Sequence, residues 1–206
     1  MSLKPYLVGI VGGSASGKSS FLDDLVRLLP EGHCAVVSQD NYYRPRHEQE
    51  RDVAGHPNFD LPGAIRADRL FSDLQRLLAG ETIAKTEYTF NQPNRPGKLI
   101  VVEPAPVILL EGLFLFHFAE IRSLFDMRIF IDAPEDVCKQ RRLQRDADQR
   151  GYDAVHVEYQ WDNHVRPAFQ NFVLPYRDQA HVIITNHDNY DTGLQVIAEF
   201  LRNAVR

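Results

Sequence analysis

The octapeptide Gly12-Gly13-Ser14-Ala15-Ser16-Gly17-Lys18-Ser19 constrains this chain more than any other stretch. It has the pattern G-x-x-x-x-G-K-[ST], and it stands where that pattern has to stand, between a strand and a helix. Tyr6–Val11 before it is a short, β-rich apolar run, as a buried strand is. After Lys18 the period becomes helical, with Phe21, Leu22, Leu25, Val26, Leu28 and Leu29 on one face and Pro30 and Gly32 as the stop. Glycines at such a turn let backbone N–H groups converge on phosphate oxygens, and the helix N-terminus adds a favourable dipole. Lys18 is then expected to bridge the β- and γ-phosphates, the Ser19 hydroxyl to bind Mg²⁺, and Ser20 to join the nucleotide contacts. A GTP-binding switch also needs D-x-x-G and N-K-x-D elements. Thr185-Asn186-His187-Asp188 has neither the spacing nor the lysine, so a switch is disfavoured.

Strand-like and helix-like stretches alternate through the rest of the chain. Cys34–Ser38, Val107–Leu110, Met127–Ile131 and His181–Thr185 read as further strands. Ala67–Ala79, a charged helix from Pro134, His156–Val173 and Leu194–Val205 read as helices, with a break or kink at Pro167. Thr82–Phe90 and Lys98–Glu103 flank a turn-rich segment and predict a hairpin, and Gln39–Arg66 predicts a long loop. The alternation predicts an α/β fold: a doubly wound parallel sheet of the P-loop NTPase type with helices on both faces, a small β-hairpin insertion and a helical lid. With 206 residues one domain is expected, and no disulfide or metal is needed to hold its core. Cys34 and Cys138 are far apart and predict two reduced thiols in a cytoplasmic protein. No apolar stretch is long enough to span a bilayer. The net charge of −5 argues against a general nucleic-acid binder.

Ligands of such sheets bind at the carboxyl ends of strands. Asp40 and Glu111 occupy two of those ends. Glu111, after four apolar residues, is placed to hold Mg²⁺, with Ser19 and Asp40 as the other candidate ligands. Asp40 is also placed to take the proton of an attacking hydroxyl. Residues 139–150 hold five basic and two acidic side chains, and little apolar face. Arg141, Arg142 and Arg145 repel one another unless an anion sits among them, which suggests a lid over a triphosphate. The plainer reading is a solvated helix with Arg142–Asp146 and Asp146–Arg150 pairs. Tyr42, Tyr43, Phe59, Tyr88 and Phe90 cluster in connecting segments, suited either to stacking a planar group or to core packing.

Ser38-Gln-Asp40-Asn-Tyr-Tyr-Arg44, Asn58-Phe-Asp60-Leu-Pro62, Tyr88-Thr-Phe90, Leu110-Glu-Gly112 and Arg141-Arg-Leu-Gln-Arg-Asp146, with the phosphate loop, resemble the uridine kinase (uridine–cytidine kinase) family in order and spacing. The resemblance runs from about residue 6 to 185. It implies a single kinase domain over 1–206, with an acceptor-binding insertion near 41–104 and a lid near 134–153. It implies Mg·ATP-dependent phosphorylation of a nucleoside 5′-hydroxyl, uridine or cytidine. Asp40 would be the catalytic base, with Lys18 and Arg145 assisting transfer and Arg141 contacting the nucleotide. Asp60 would hold the ribose hydroxyls, Tyr43, Phe59, Tyr88 and Phe90 would line the pocket, and Arg142, Arg150 and Gln160 would complete it. Members of the family often form homo-oligomers. Three positions depart from the family pattern: Pro93 replaces the base-reading His, Tyr152 the second Arg of R-G-R, and His181 a usual acid. Pro93 has no donor to offer a base, which opens the choice of acceptor. The alternatives are another small hydroxyl acceptor, such as pantothenate, a nicotinamide riboside-type compound or a phosphorylated sugar, or a non-catalytic nucleotide-binding regulator.

Overall fold

The alternation of strand and helix is realised in a computed structural model, which describes residues 4–90, 95–150 and 153–204. In chain order it runs β1 (Tyr6–Gly12), α1 (Lys18–Leu28), β2 (Cys34–Ser38), α2 (Ala67–Leu78), β3 (Ile83–Thr86), β4 (Leu99–Val102) and β5 (Val107–Glu111). It continues through α3 (Ala119–Arg122), β6 (Met127–Asp132), α4 (Glu135–Arg150), α5 (Ala154–Gln160), α6 (Arg166–Ala168), β7 (Val182–Thr185) and α7 (Asp191–Ala204). Five strands form a parallel sheet in the order β2-β5-β1-β6-β7, and β3 pairs antiparallel with β4 in a separate hairpin.

The apolar strands are covered on both faces, and their period of two sorts the side chains. Leu7, Val11, Ile108, Leu110 and Phe130 point to one side, where Leu70, Leu74 and Leu77 of α2 meet them. Val8, Ile10, Leu109, Ile129 and Ile131 point to the other, against Phe21, Leu22 and Leu25 of α1 and Leu194, Ile197 and Leu201 of α7. Among the described residues no helix is long and apolar enough to cross a membrane. Cys34 and Cys138 are both free thiols.

Strand order decides what meets what. Because β5 lies between β2 and β1, Ser38 pairs in register with Glu111, and Ile10 with Glu111 on the other side. The loop after β1, the segment after β2 and the end of β5 therefore emerge side by side, about 4.8 Å per strand apart. The long loop holds three short 3-10 turns, Gln39–Tyr42, Arg46–Glu48 and Pro62–Ala64. Pro167 neither breaks nor stops the helical segment. Two wide π turns, Trp161–Val165 and Phe169–Val173, flank the α6 turn that contains it, so the chain stays helical around the missing N–H.

One buried group makes stability depend on pH. Lys85 Nζ on β3 has no hydrogen-bond partner among the described residues and stands 3.9 Å from the centroid of the Tyr42 ring. Burial pushes its pKa down to about 7, against the pull of Asp73. Above pH 7 the folded chain releases a proton that the unfolded chain keeps up to its ordinary lysine value. Stability should therefore rise with pH between about 7 and 10, by at most about 1.4 kcal/mol per unit. Lys85→Met is expected to raise the Tm at pH 7 and to flatten that slope. Urea unfolding at pH 7, 8 and 9 checks it, and an unchanged slope would mean that the ammonium stays charged in the fold.

Candidate active site

The phosphate loop is shaped by contacts that leave no room for side chains. A Cβ on Gly12 would fall 2.4 Å from the Ile131 carbonyl oxygen and 2.7 Å from Ser16 Oγ. Gly17 sits at φ 98°, and a Cβ there would meet Asn186 Nδ2 at 2.3 Å. Ala15 also takes a left-handed conformation, at φ 60°, which costs a non-glycine about 1 kcal/mol. Left-handed residues set among right-handed ones are how a chain builds an anion-binding concavity. Asn186, buried in the loop after β7, donates Nδ2 to Ser16 O at 2.8 Å and braces the turn. Lys18 Nζ donates to Gly13 O at 2.9 Å. Burial lowers the Lys18 pKa, opposed by the nearby carboxylates of Glu111 and Asp40.

At the neighbouring strand ends, Glu111 Oε1 accepts a short hydrogen bond from Ser38 Oγ, and Ser19 Oγ lies 3.5 Å from Glu111 Oε2. Ser38 Oγ also accepts from the Asp40 N–H at 3.2 Å, so one hydroxyl fixes both acids. Burial pushes the Glu111 pKa up, and the neighbouring Asp40 charge adds to it. Two carboxylates and a serine hydroxyl are a hard oxygen set, of the kind that Mg²⁺ takes alongside its own waters.

The basic helix keeps Asp136, Gln140, Gln144 and Asp148 on a solvated face but turns part of its charge inward. Arg142 and Asp146 are buried, and their four-residue pairing, Nε to Oδ2 at 3.3 Å, lies inside the protein. Arg142 reaches three further groups: Ser14 Oγ at 2.9 Å, Gln160 Oε1 at 3.2 Å and Asp60 Oδ1 at 3.9 Å. Arg145 donates Nε to Asp146 Oδ1 at 2.8 Å. Arg141 Nη1 and Ser16 Oγ are buried with no hydrogen-bond partner among the described residues. Two orphaned donors beside a concavity built for anions fit a bound triphosphate.

Tyr43 is the centre of an aromatic group. Its ring lies 5.8 Å from Phe59, 5.5 Å from Tyr88 and 5.5 Å from Phe90, with Tyr88 and Phe90 4.8 Å apart. The Tyr88 N–H donates to Asn41 Oδ1 at 3.1 Å and ties the hairpin to the loop that holds Asp40. Tyr42, by contrast, is a core residue, its hydroxyl donating to Asp73 Oδ2 at 2.8 Å.

These parts share one cavity of about 1370 Å³. Its wall includes Ser14, Ala15, Gly17, Lys18, Ser19, Ser20, Asp40, Glu111, Arg141 and Arg145, expected on the nucleotide and metal, and Tyr43, Phe59, Asp60, Tyr88, Phe90, Arg142 and Gln160, expected on the acceptor. Gly12, Gly13 and Ser16 are buried parts of the same loop and do not line the cavity. The Arg150 side chain, Pro93 and Tyr152 lie outside the described residues. Sequence reasoning misses Ser38 and Asn186, since nothing in their local spacing reveals the carboxylate or the loop they hold, and it finds Asp146 only as a surface partner of Arg142 rather than a buried one.

The same arrangement has relatives. The family model described as phosphoribulokinase / uridine kinase matches residues 7–193. A protein named uridine kinase from Leuconostoc citreum is 39% identical over 186 residues, 89% of each chain. One of the same name from Brevibacillus brevis is 36% identical over 199 residues, 97% of this chain and 93% of its own. A solved structure described as a possible uridine kinase from Bacillus stearothermophilus superposes with a TM-score of 0.60 at 18% identity, over 89% of this chain and 90% of its own, a likeness of fold. With nearly the whole chain matched, and at this level of identity, it belongs to the phosphoribulokinase / uridine kinase family.

Proposed function

We propose that this chain is a cytoplasmic nucleoside kinase that moves the γ-phosphoryl group of ATP to the 5′-hydroxyl of uridine or cytidine. Family membership carries the use of a nucleotide, and the acceptor, the metal and the residue roles belong to the proposal. The observation that carries it is that Asp40 lines one cavity together with the phosphate loop and with Asp60, Arg142 and the aromatic group. A hydroxyl held by Asp60 and the aromatic group would share that cavity with the Asp40 carboxylate and the phosphate loop.

In this reading Lys18, Ser14 to Ser20 and Arg141 hold the triphosphate. Ser19, Glu111 and Asp40 would hold Mg²⁺, which supplies charge neutralisation between the phosphate oxygens when bound. Asp40 accepts the proton as the acceptor oxygen attacks, and Arg145 offsets the charge that develops on the phosphoryl oxygens. Asp60 and Gln160 bind the sugar hydroxyls, with Arg142 beside them, and Arg150 is assigned to the acceptor by the resemblance alone. The rings of Tyr43, Phe59, Tyr88 and Phe90 enclose sugar and base. Segment 41–104 thus carries the acceptor side, and 134–153 is the lid that excludes water.

ADP release over a panel of nucleosides tests the function. Strong stimulation by uridine or cytidine is expected, and no stimulation by any nucleoside would overturn it. The same panel on Pro93→His reads whether a donor at that position sharpens the choice of base, since losing or gaining one buried donor changes discrimination by orders of magnitude.

A further inference from the structure

We propose that Asp52 is a positioning residue for the acceptor: through Tyr159 and His164 it fixes the separation of the two pocket walls that carry Phe59–Asp60 and Gln160. The inference rests on the nucleoside-kinase reading above.

Four donors converge on this carboxylate. Oδ2 accepts from Tyr159 Oη at 2.8 Å and from His164 Nε2 at 2.8 Å. Oδ1 accepts from the backbone N–H groups of Ala54 at 2.9 Å and His56 at 2.8 Å. Burial pulls the Asp52 pKa upward, but these hydrogen bonds outweigh it and hold the carboxyl well below the usual carboxylate range. His164 is 2% exposed, so its partner cannot be replaced by bulk water.

The loop side of the clamp is stiff. Asp52 N donates to His56 O at 2.9 Å, Arg51 Nη1 to Gly55 O at 2.6 Å and Asn58 N to Glu50 O at 2.7 Å. This closed turn leads directly into Phe59 and Asp60. The helix side is equally specific. Tyr159 and His164 are five residues apart, which on a regular α-helix would point them about 140° away from each other. The π turn Trp161–Val165 brings both to one carboxylate oxygen, with their rings 5.9 Å apart. Gln160 lies between them in sequence and faces the cavity. Beside the clamp, the His56 ring packs on His156 at 5.6 Å and Tyr159 at 5.1 Å.

The same loop and helix are also joined on the pocket side, where Arg142 spans Asp60 and Gln160. Asp52 closes the outer side of that connection. It does not line the cavity, nor do Tyr159 and His164, so it acts through the wall residues. None of the three touches the phosphate loop, and the effect should fall on acceptor binding alone.

Steady-state kinetics of Asp52→Ala, Tyr159→Phe and His164→Gln test this, with ATP and the best nucleoside varied in turn. Asp52→Ala is expected to raise the acceptor KM about ten-fold or more, while kcat and the KM for ATP stay within about three-fold. Tyr159→Phe should raise it less, and should add nothing in the Asp52→Ala background. An acceptor KM within about two-fold of wild type, or equal rises in both KM values, would overturn the proposal. Tyr159→Phe removes one oxygen and reads the same question should Asp52→Ala not fold. Hydrogen exchange without substrate gives a second readout: Asp52→Ala should exchange faster in both 52–60 and 154–165. Unchanged exchange there overturns the clamp, whereas a wild type inactive on every nucleoside overturns the function beneath it, so the two failures are told apart.

Discussion

Asp40→Asn is expected to lower kcat by about 10²–10⁴-fold while leaving the KM for ATP within about two-fold. Asparagine keeps the size of the side chain, and the backbone N–H at residue 40 still has Ser38 Oγ to donate to. What it loses is the ability to accept a proton from the attacking oxygen. The electrostatic side effects run in a known direction. The Asp40 charge raises the pKa values of both Glu111 and Lys18. Removing it makes Glu111 easier to ionise, which favours the metal, so ATP binding has no reason to collapse. A fall in ATP affinity as large as the fall in kcat would identify Asp40 as chiefly a metal ligand. The pH profile adds a second criterion: the acidic limb of kcat/KM for the acceptor should vanish in the variant if that limb reports the base.

The phosphate loop and the α/β class are legible in the sequence because both are local. An eight-residue motif and the change of period from two to 3.6 are written along the chain. Strand order is not, since the pairing of β2 with β5 rather than β1 joins residues some 70 apart in the chain, Ser38 with Glu111 among them. The same limit governs the site. Asp40 and Glu111 announce themselves as acids at strand ends, whereas Ser38, which hydrogen-bonds to both, looks like any strand-terminal serine. Asn186 reads from the sequence only as a failed nucleotide-switch element; in the fold it braces the Ser16 carbonyl. Ala15 shows that glycine alone does not mark the left-handed positions of the loop. The spacing of Arg142 and Asp146 is plain, but spacing does not reveal burial. A helix with almost no apolar face is normally solvated; here its charged face turns inward because Ser14, Asp60 and Gln160 supply polar partners there.

That inversion makes Arg142 the position where stability and function can be separated. Its side chain is 8% exposed and that of Asp146 fully buried. Arg142→Met is expected to destabilise the fold by about 3–5 kcal/mol, because Asp60 and Asp146 lose a buried cation, Asp146 keeping Arg145. Arg142→Lys restores the charge but not the planar fork, and one ammonium cannot serve Ser14, Asp60, Gln160 and Asp146 together. It should recover much of the stability and little of the acceptor affinity. The decisive variant is Arg142→Met combined with Asp146→Asn. Neutralising Asp146 removes the buried charge that Arg142 balanced, so urea unfolding should recover a part of the lost stability. Acceptor KM should not recover, because Asp60 and Gln160 still lack the guanidinium that holds them together. If affinity returned along with stability, Arg142 would be a folding residue whose effect on the acceptor is only that of a loosened lid.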